Sequence, residues 1–263
     1  MRLPTAKKKL GQHFLVDENI LGVIGRLAEL APEDVVLEVG PGLGVLSAYL
    51  ADRVAHVHAV ELDHSLEGPL QERLADRQNV QLHFGDALQL DLGDLEPAPA
   101  KLVANLPYNI ATPLVVESLD GLPGVGLWCV MVQREVADRF FAEPSQKAYG
   151  AVSVLVQLAS ERTGFHPVSR TVFRPRPNVD SALVAFRRRA EADTGDLARV
   201  KRTVTAAFAH RRKRLGNSLE LSGVASRPEA EAALAEIGRD PKARAEELTP
   251  PEFVALANAL GRE

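Results

Sequence analysis

The chain has 263 residues, with 46% hydrophobic and 25% charged side chains and a net charge of −4. These are ordinary globular values, enough for one big domain or a large one plus a small one. The longest apolar run, Gly124 to Val132, is too short to span a bilayer, and the start "MRLPTAKKKLGQHF" has no hydrophobic segment behind its basic residues, so no membrane association and a cytoplasmic location are expected. Cys129 is the single cysteine. It rules out an internal disulfide or a Cys-rich metal site and reads as a buried thiol in a reducing compartment.

In chain order, "VVLEVG" (35–40) is a short β-branched run ending in glycine, and "LSAYLADRV" after it has helical spacing. "HVHAVELD" (56–63) alternates as a second strand, and "HSLEGPLQERLAD" follows as a helix. "VQLHFGD" (80–86), "KLVANL" (101–106) and "GVGLWCVMV" (124–132) supply three more strands. This βαβα rhythm predicts a parallel sheet covered by helices. Ligands of such sheets bind at the carboxyl ends of the strands. The unusual residues fall there: Gly40 to Gly44, Glu61, Asp86, and Asn105 to Tyr108. Beyond Val132, "YGAVSVLVQLAS" reads as a helix, and "DSALVAFRR" (180–188) as a late antiparallel strand at the sheet edge. From about 192 the segments are helical, the last opening with Thr249 as cap and Pro250 at the first helical position.

Charge is unevenly spread. Residues 1–169 carry 13 Lys/Arg and 22 Asp/Glu, whereas residues 170–216 carry 13 and 4, a net of +9. "KKK" at 7–9, "RRR" at 187–189 and "RRKR" at 211–214 concentrate it further. Basic clusters on an acidic chain fit an oriented polyanion site, RNA or DNA.

"EVGPGLG" (38–44) joins a strand to a helix. Its glycines allow close backbone approach to a ligand. No Gly-Lys-Ser/Thr follows, so it is not a phosphate-binding P-loop, and the alternation of Gly40, Gly42 and Gly44 departs from G-x-G-x-x-G. About 20 residues on, Glu61 can accept from both ribose hydroxyls. Asp86 is suited to accept from an adenine amine. The ligand is therefore a nucleoside without a pyrophosphate. In "VANLPYNIAT" (103–112), Asn105 offers an amide oxygen, Leu106 a carbonyl whose direction Pro107 restricts, and Tyr108 a flat face. Two acceptors beside an aromatic plate make a site for a planar amine. "FRPRP" places Phe173 in a loop stiffened by two prolines, as a second plate to hold an unstacked base.

"GQHFL", "EVGPGLGVLS", "VELD", "GDAL", "NLPYNIAT", "QREVADR", "YGAVSVLVQ" and "FRPRPNVDSALV", in this order, resemble the small-subunit rRNA adenine dimethyltransferases. The match is close from Lys7 to about Arg189 and looser in the C-terminal helices. Large-subunit rRNA adenine methyltransferases and mitochondrial transcription-factor relatives share much of it, but Asn-Leu-Pro-Tyr and "FxPxPxVDS" favour the small-subunit side. The resemblance implies a Rossmann-like class I methyltransferase sheet over residues 1–190, with a basic N-terminal arm, and an all-helical rRNA-binding domain over 191–263. It implies S-adenosylmethionine as cofactor. Residues matching His13 and Leu15 would contact the methionine end, Gly40 would lie beneath it, Glu61 would hold the ribose, Asp86 the adenine amine, and Asn105 would lie between cofactor and target. Asn105, Leu106, Pro107, Tyr108 and Phe173 would form the catalytic set, with no metal. The implied target is two adjacent adenosines in the 3′-terminal hairpin loop of small-subunit rRNA, dimethylated on N6; a monomer is the default expectation for the chain. Rival readings keep the chemistry on large-subunit rRNA or DNA adenine, move it to a protein glutamine, or make the chain a non-catalytic RNA-binding factor.

Overall fold

The computed structural model describes Lys7, residues 12–190 and residues 196–261. They form two compact units. One comprises the chain up to Ala137 together with Arg162–Arg188, the other Asp138–Glu161 together with the chain from Arg189. The division therefore does not fall at 190/191, because the segment from Asp138 to Glu161 groups with the C-terminal helices.

The first unit is built on β2 (Val35–Val39), β3 (His56–Glu61), β4 (Val80–Phe84), β5 (Lys101–Asn105), β6 (Leu127–Gln133), β7 (Ser160–Val168) and β9 (Ser181–Arg188). The strand order is β4-β3-β2-β5-β6-β9-β7. The first five are parallel to their neighbours, and β9 runs antiparallel to β6 in a register from Leu127↔Arg187 to Gln133↔Ser181. The chain starts at β2, steps out to β3 and β4, then returns to lay β5 on the other side. That reversal opens a crevice at the carboxyl ends of β2 and β5. Burial on both faces explains the unbroken apolar runs: Val36, Leu37, Leu102, Val103, Cys129 and Val130 are all at 0% exposure.

Helix α1 (Asn19–Leu27) precedes β2, helices α2 (Val45–Ala51), α3 (Glu67–Leu74) and α4 (Ala111–Gly121) connect the parallel strands, and α5 (Arg134–Phe140) follows β6. Ile24 and Leu50 pack with Val36, Val57 and Met131 in the main core, whereas Leu66, Leu70 and Leu74 form a second cluster around Phe14. A small separate sheet pairs β1 (Phe14–Leu15) antiparallel to β8 (Phe173–Arg174), with Leu15 opposite Phe173.

One expectation about the sheet is corrected. The late strand β9 is not at the sheet edge, since β7 lies outside it. The sequence "SERTGFHPV" hides β7 because an edge strand needs no apolar alternation and tolerates Pro167; only Ser160 and Val168 in it are buried.

In the second unit, α6 (Ala151–Ala159), α7 (Leu197–Ala209), α8 (Leu215–Leu221), α9 (Arg227–Glu236) and α10 (Pro250–Ala259) surround Tyr149, Phe208 and Phe253. Phe208 meets both other rings at centroid distances of 5.9 and 5.6 Å. The buried Tyr149 hydroxyl donates to the Leu248 carbonyl at 2.7 Å. The α10 start is as the sequence predicts: Pro250 is the first helical residue, and Glu252 accepts from both Thr249 N and Thr249 Oγ1 at 2.8 Å.

Candidate cofactor and base-binding cleft

The carboxyl ends of β2 to β5 border one cleft of about 850 Å³, its open mouth included. Gly40, Glu61, Asp86, Asn105, Leu106, Pro107 and Tyr108 all line it, and so does His13. An adjoining hollow of about 320 Å³ is bordered by Leu15, Glu38 and Gly40. The structure therefore brings every residue expected for the site into this cleft except Leu15, which reaches only the adjoining hollow, and Phe173.

The glycine turn is shaped by its neighbours. Gly40 and Gly42 have φ of +77° and +59°, a region side chains rarely adopt. A β-carbon on Gly40 would also lie 2.9 Å from Pro107 Cδ, and one on Gly42 3.0 Å from the Phe14 ring. The turn is thus packed directly against the Asn-Leu-Pro-Tyr segment and the N-terminal segment.

The acids are held by backbone. Glu61 accepts from Gly42 N at 3.1 Å and from Asp63 N at 2.9 Å, one on each oxygen. Burial pushes its carboxyl above the usual range, against those bonds. Each oxygen keeps a further lone pair for a ligand. Asp86 Oδ1 accepts from Leu88 N at 3.0 Å, so Asp86 is both a turn cap and a wall of the cleft.

Glu38 is the acid that motif reading passed over. It is 1% exposed, and its Oε2 has no hydrogen-bond partner. Burial pushes its carboxyl up to about 8; the nearby Ser47 hydroxyl, itself without a partner, offsets only part of this, and the Glu61 charge adds to it. A charged residue inside the apolar run "VVLEV" was the visible signal, because unpaired carboxylates are almost never fully buried. An orphaned acid beside a glycine cradle fits a cationic ligand.

In Asn105 the side chain has a defined orientation. Its Nδ2 donates to the His13 carbonyl at 3.2 Å, which leaves Oδ1 as the acceptor. His13 Nδ1 lies 2.7 Å from the Pro175 carbonyl. A carbonyl only accepts, so Nδ1 carries a proton and Nε2 is left for a ligand. Leu106 is buried, with its N–H on the Met131 carbonyl at 3.0 Å, which fixes the peptide ahead of Pro107. Tyr108 is half-buried, and its hydroxyl is 2.7 Å from Ser181 Oγ. Burial raises the phenol above its ordinary range. The ring is therefore neutral and anchored at its edge, 5.4 Å from the His13 ring.

Phe173 is a correction. It is 2% exposed and sits in the main core with Leu15 and Leu183. Pairing of β8 with β1 turns it inward, so it is a packing residue rather than a second plate. Leu15 is likewise a core residue that borders only the adjoining hollow.

The basic clusters divide. Arg188 donates to the carbonyls of Val125, Leu119 and Leu122 at 2.8, 2.8 and 3.0 Å and lies over the Trp128 ring. Arg187 pairs with Glu29, and Arg189 with Glu161. This cluster is structural. Arg211 is engaged by Glu246 and the Lys147 carbonyl, but Arg212, Lys213 and Arg214 are exposed. Lys7 is paired with Asp63; Lys8 and Lys9 lie outside the described residues.

Comparison with known proteins decides among methyltransferase types. Residues 4–261 match the family model for ribosomal RNA adenine dimethylase. The chain belongs to the ribosomal RNA adenine dimethylase family. Among its relatives, ribosomal RNA small subunit methyltransferase A of Rubrobacter xylanophilus is 49% identical over 97% of this chain and 95% of that one. The protein of the same name from Lactococcus lactis is 42% identical over 97% and 90%. The crystal structure of the 23S rRNA methyltransferase ErmE superposes with a TM-score of 0.69 at 30% identity, covering 95% and 100%. A dimethyladenosine transferase from Plasmodium falciparum gives 0.74 at 22% identity, covering 93% and 96%, which speaks to the fold. The chain is a methyltransferase with the Rossmann-like sheet of this family and uses S-adenosylmethionine. Among the described residues no group of three or more His, Cys, Asp or Glu could hold a metal ion, and no helix is long and apolar enough to cross a membrane.

Proposed function

We propose that this protein dimethylates N6 of two adjacent adenosines in the 3′-terminal hairpin loop of small-subunit (16S) rRNA, acting as a cytoplasmic monomer on the maturing small subunit. The observation that carries the reading is the oriented amide of Asn105, whose free Oδ1 lies in the same cleft as Tyr108 and Glu61.

S-adenosylmethionine supplies a methyl group on a sulfonium, already a good electrophile. His13, Glu38 and Gly40 lie where its methionine end would be held, Glu61 accepts from the ribose, and Asp86 accepts from the adenine amine. The target amine is a poor nucleophile because its lone pair is delocalised into the ring. Asn105 Oδ1 and the Leu106 carbonyl accept its two hydrogens, which draws the nitrogen towards a tetrahedral shape and stabilises the positive charge that develops there. Positioning supplies most of the rate, and no strong base is required. The proton leaves after transfer, and one of the two acceptors holds the monomethylated amine through its remaining hydrogen.

Drawing a base out of its stack costs a few kcal/mol, and one aromatic plate returns about 1–3 kcal/mol. With Phe173 in the core, Tyr108 is the plate, and its bond to Ser181 fixes the ring before the base arrives. A loop adenosine, easier to unstack than a duplex one, suits that balance. Arg212 to Arg214 and the exposed Arg174 and Arg176 supply phosphate contacts.

The test is transfer of labelled methyl groups to unmethylated small subunits, large subunits and duplex DNA, followed by nucleoside digestion. Dimethyladenosine from small subunits is the expected result. Label on the large subunit, as the similarity to a 23S rRNA methyltransferase would have it, or monomethyladenine in DNA, overturns the assignment.

A further inference from the structure

Asp63 lies two residues beyond Glu61, and its carboxylate is buried although ionised: its exposure is 4%. Four donors meet it. Lys7 Nζ at 2.6 Å, Ser65 N at 3.0 Å and Ser65 Oγ at 2.6 Å reach Oδ1, and Gln12 Nε2 reaches Oδ2 at 3.0 Å. Gln12 Oε1 in turn accepts from the Lys7 backbone N–H at 2.7 Å, closing a ring of three residues. Burial alone would raise the Asp63 carboxyl, but the bonds from Lys7, Ser65 and Gln12 outweigh it and hold the group well below the usual carboxylate range.

Both sides of this carboxylate lead to the cleft. On one, the Asp63 N–H donates to Glu61 Oε1 and so helps aim the ribose acceptor. On the other, Gln12 begins the stretch Gln12–Phe14 that forms a wall of the cleft. That stretch is tied at its far end by the β1–β8 pairing and by His13 on the Pro175 carbonyl. The His13 carbonyl then orients Asn105. The wall has no regular secondary structure of its own before Phe14, so its near end is placed by Asp63.

We infer that Asp63 is a positioning residue for the cofactor, setting the Gln12–Phe14 wall and the Glu61 carboxylate in register through its bonds to Gln12, Lys7 and the Glu61 side chain. This rests on the proposed roles of Glu61 and His13. It places the control of cofactor affinity outside the residues that touch the cofactor.

The experiment is calorimetric titration of S-adenosylhomocysteine into the full chain, with methyl-transfer kinetics alongside. Asp63→Asn keeps the shape and removes the charge. It is expected to weaken binding about tenfold, the value of one charge-assisted hydrogen bond, raising the KM for S-adenosylmethionine while kcat at saturation stays within about threefold. Gln12→Ala and Lys7→Ala remove partners at the surface end of the ring and carry the test if Asp63→Asn does not fold. Each is expected to weaken binding, and in double variants with Asp63→Asn by less than the product of the single effects. Variants that melt at lower temperature yet bind S-adenosylhomocysteine as the parent does would overturn the inference and leave Asp63 a purely structural group. Glu61→Ala separates the two levels. If it too leaves binding unchanged, the proposed cofactor contacts are wrong; if it weakens binding while the Asp63, Gln12 and Lys7 variants do not, only the positioning role fails.

Discussion

Two ionisable groups in the sheet unit, the buried Glu38 near the end of β2 and the half-buried Arg188 at the end of β9, are treated in opposite ways. Arg188 spends its guanidinium on the carbonyls of Leu119, Leu122 and Val125, where α4 ends, and stacks on Trp128. Every donor direction that matters is answered by the protein. Glu38 has an oxygen answered by nothing and a carboxyl pushed up to about 8. A charge that serves the fold is satisfied within it. An acid kept for a ligand is left unsatisfied, at a cost the rest of the core must offset.

Breaking the satisfied site should have the largest effect on stability. Arg188→Ala strands the Leu119 and Val125 carbonyls, each worth about 1–3 kcal/mol when buried without a partner, while the Leu122 carbonyl keeps its bond from Val125 N. Urea unfolding should show a loss of several kcal/mol, with RNA affinity per folded molecule unchanged. A loss of RNA binding without a loss of stability would return the 187–189 cluster to the substrate surface.

The unsatisfied site should show itself through pH. The folded protein holds the Glu38 proton more tightly than the unfolded chain, whose carboxyl titrates near 4.5. The stabilisation from that proton is complete below about 4.5 and is lost as pH rises to about 8. Ligand-free protein should therefore lose stability across that window, by on the order of 1 kcal/mol per pH unit at most. Glu38→Gln should flatten the profile. Binding a cationic cofactor at neutral pH should release a proton in the parent and none in Glu38→Gln, read by calorimetry in buffers of different ionisation enthalpy.

Tyr108 tests the single-plate account. Tyr108→Ala should lower kcat/KM by the value of one base stack, about 1–3 kcal/mol, whereas Tyr108→Phe keeps the face and loses only the Ser181 anchor, for a smaller fall. Equal losses would assign the work to the hydroxyl. The smallest effect belongs to the exposed basic residues. Neutralising Arg212, Lys213 or Arg214 singly should reduce the salt dependence of RNA binding by just under one unit of log–log slope; Arg187→Ala and Arg189→Ala should not.

The parallel half of the fold was legible because strands buried on both faces must be apolar throughout, and the cleft was legible because its residues sit at strand ends in order. What escaped depended on contacts distant in sequence. Phe173 reads as a loop aromatic between prolines, and only the arrival of Leu15 from the far end of the chain buries it. The arginine run 187–189 reads as a nucleic-acid surface because local charge density does not reveal the end of α4 waiting for Arg188. Glu38 was visible as an acid in an apolar strand, but its orphaned oxygen was not.

The most direct measurement of the central claim is Asn105→Ala, assayed for methyl transfer and, separately, for RNA binding. Removing the acceptor that His13 orients should lower kcat by about a hundredfold or more while RNA affinity stays within a few fold. Proportional loss of binding, or transfer that survives, would contradict the placement of the chemistry in this cleft.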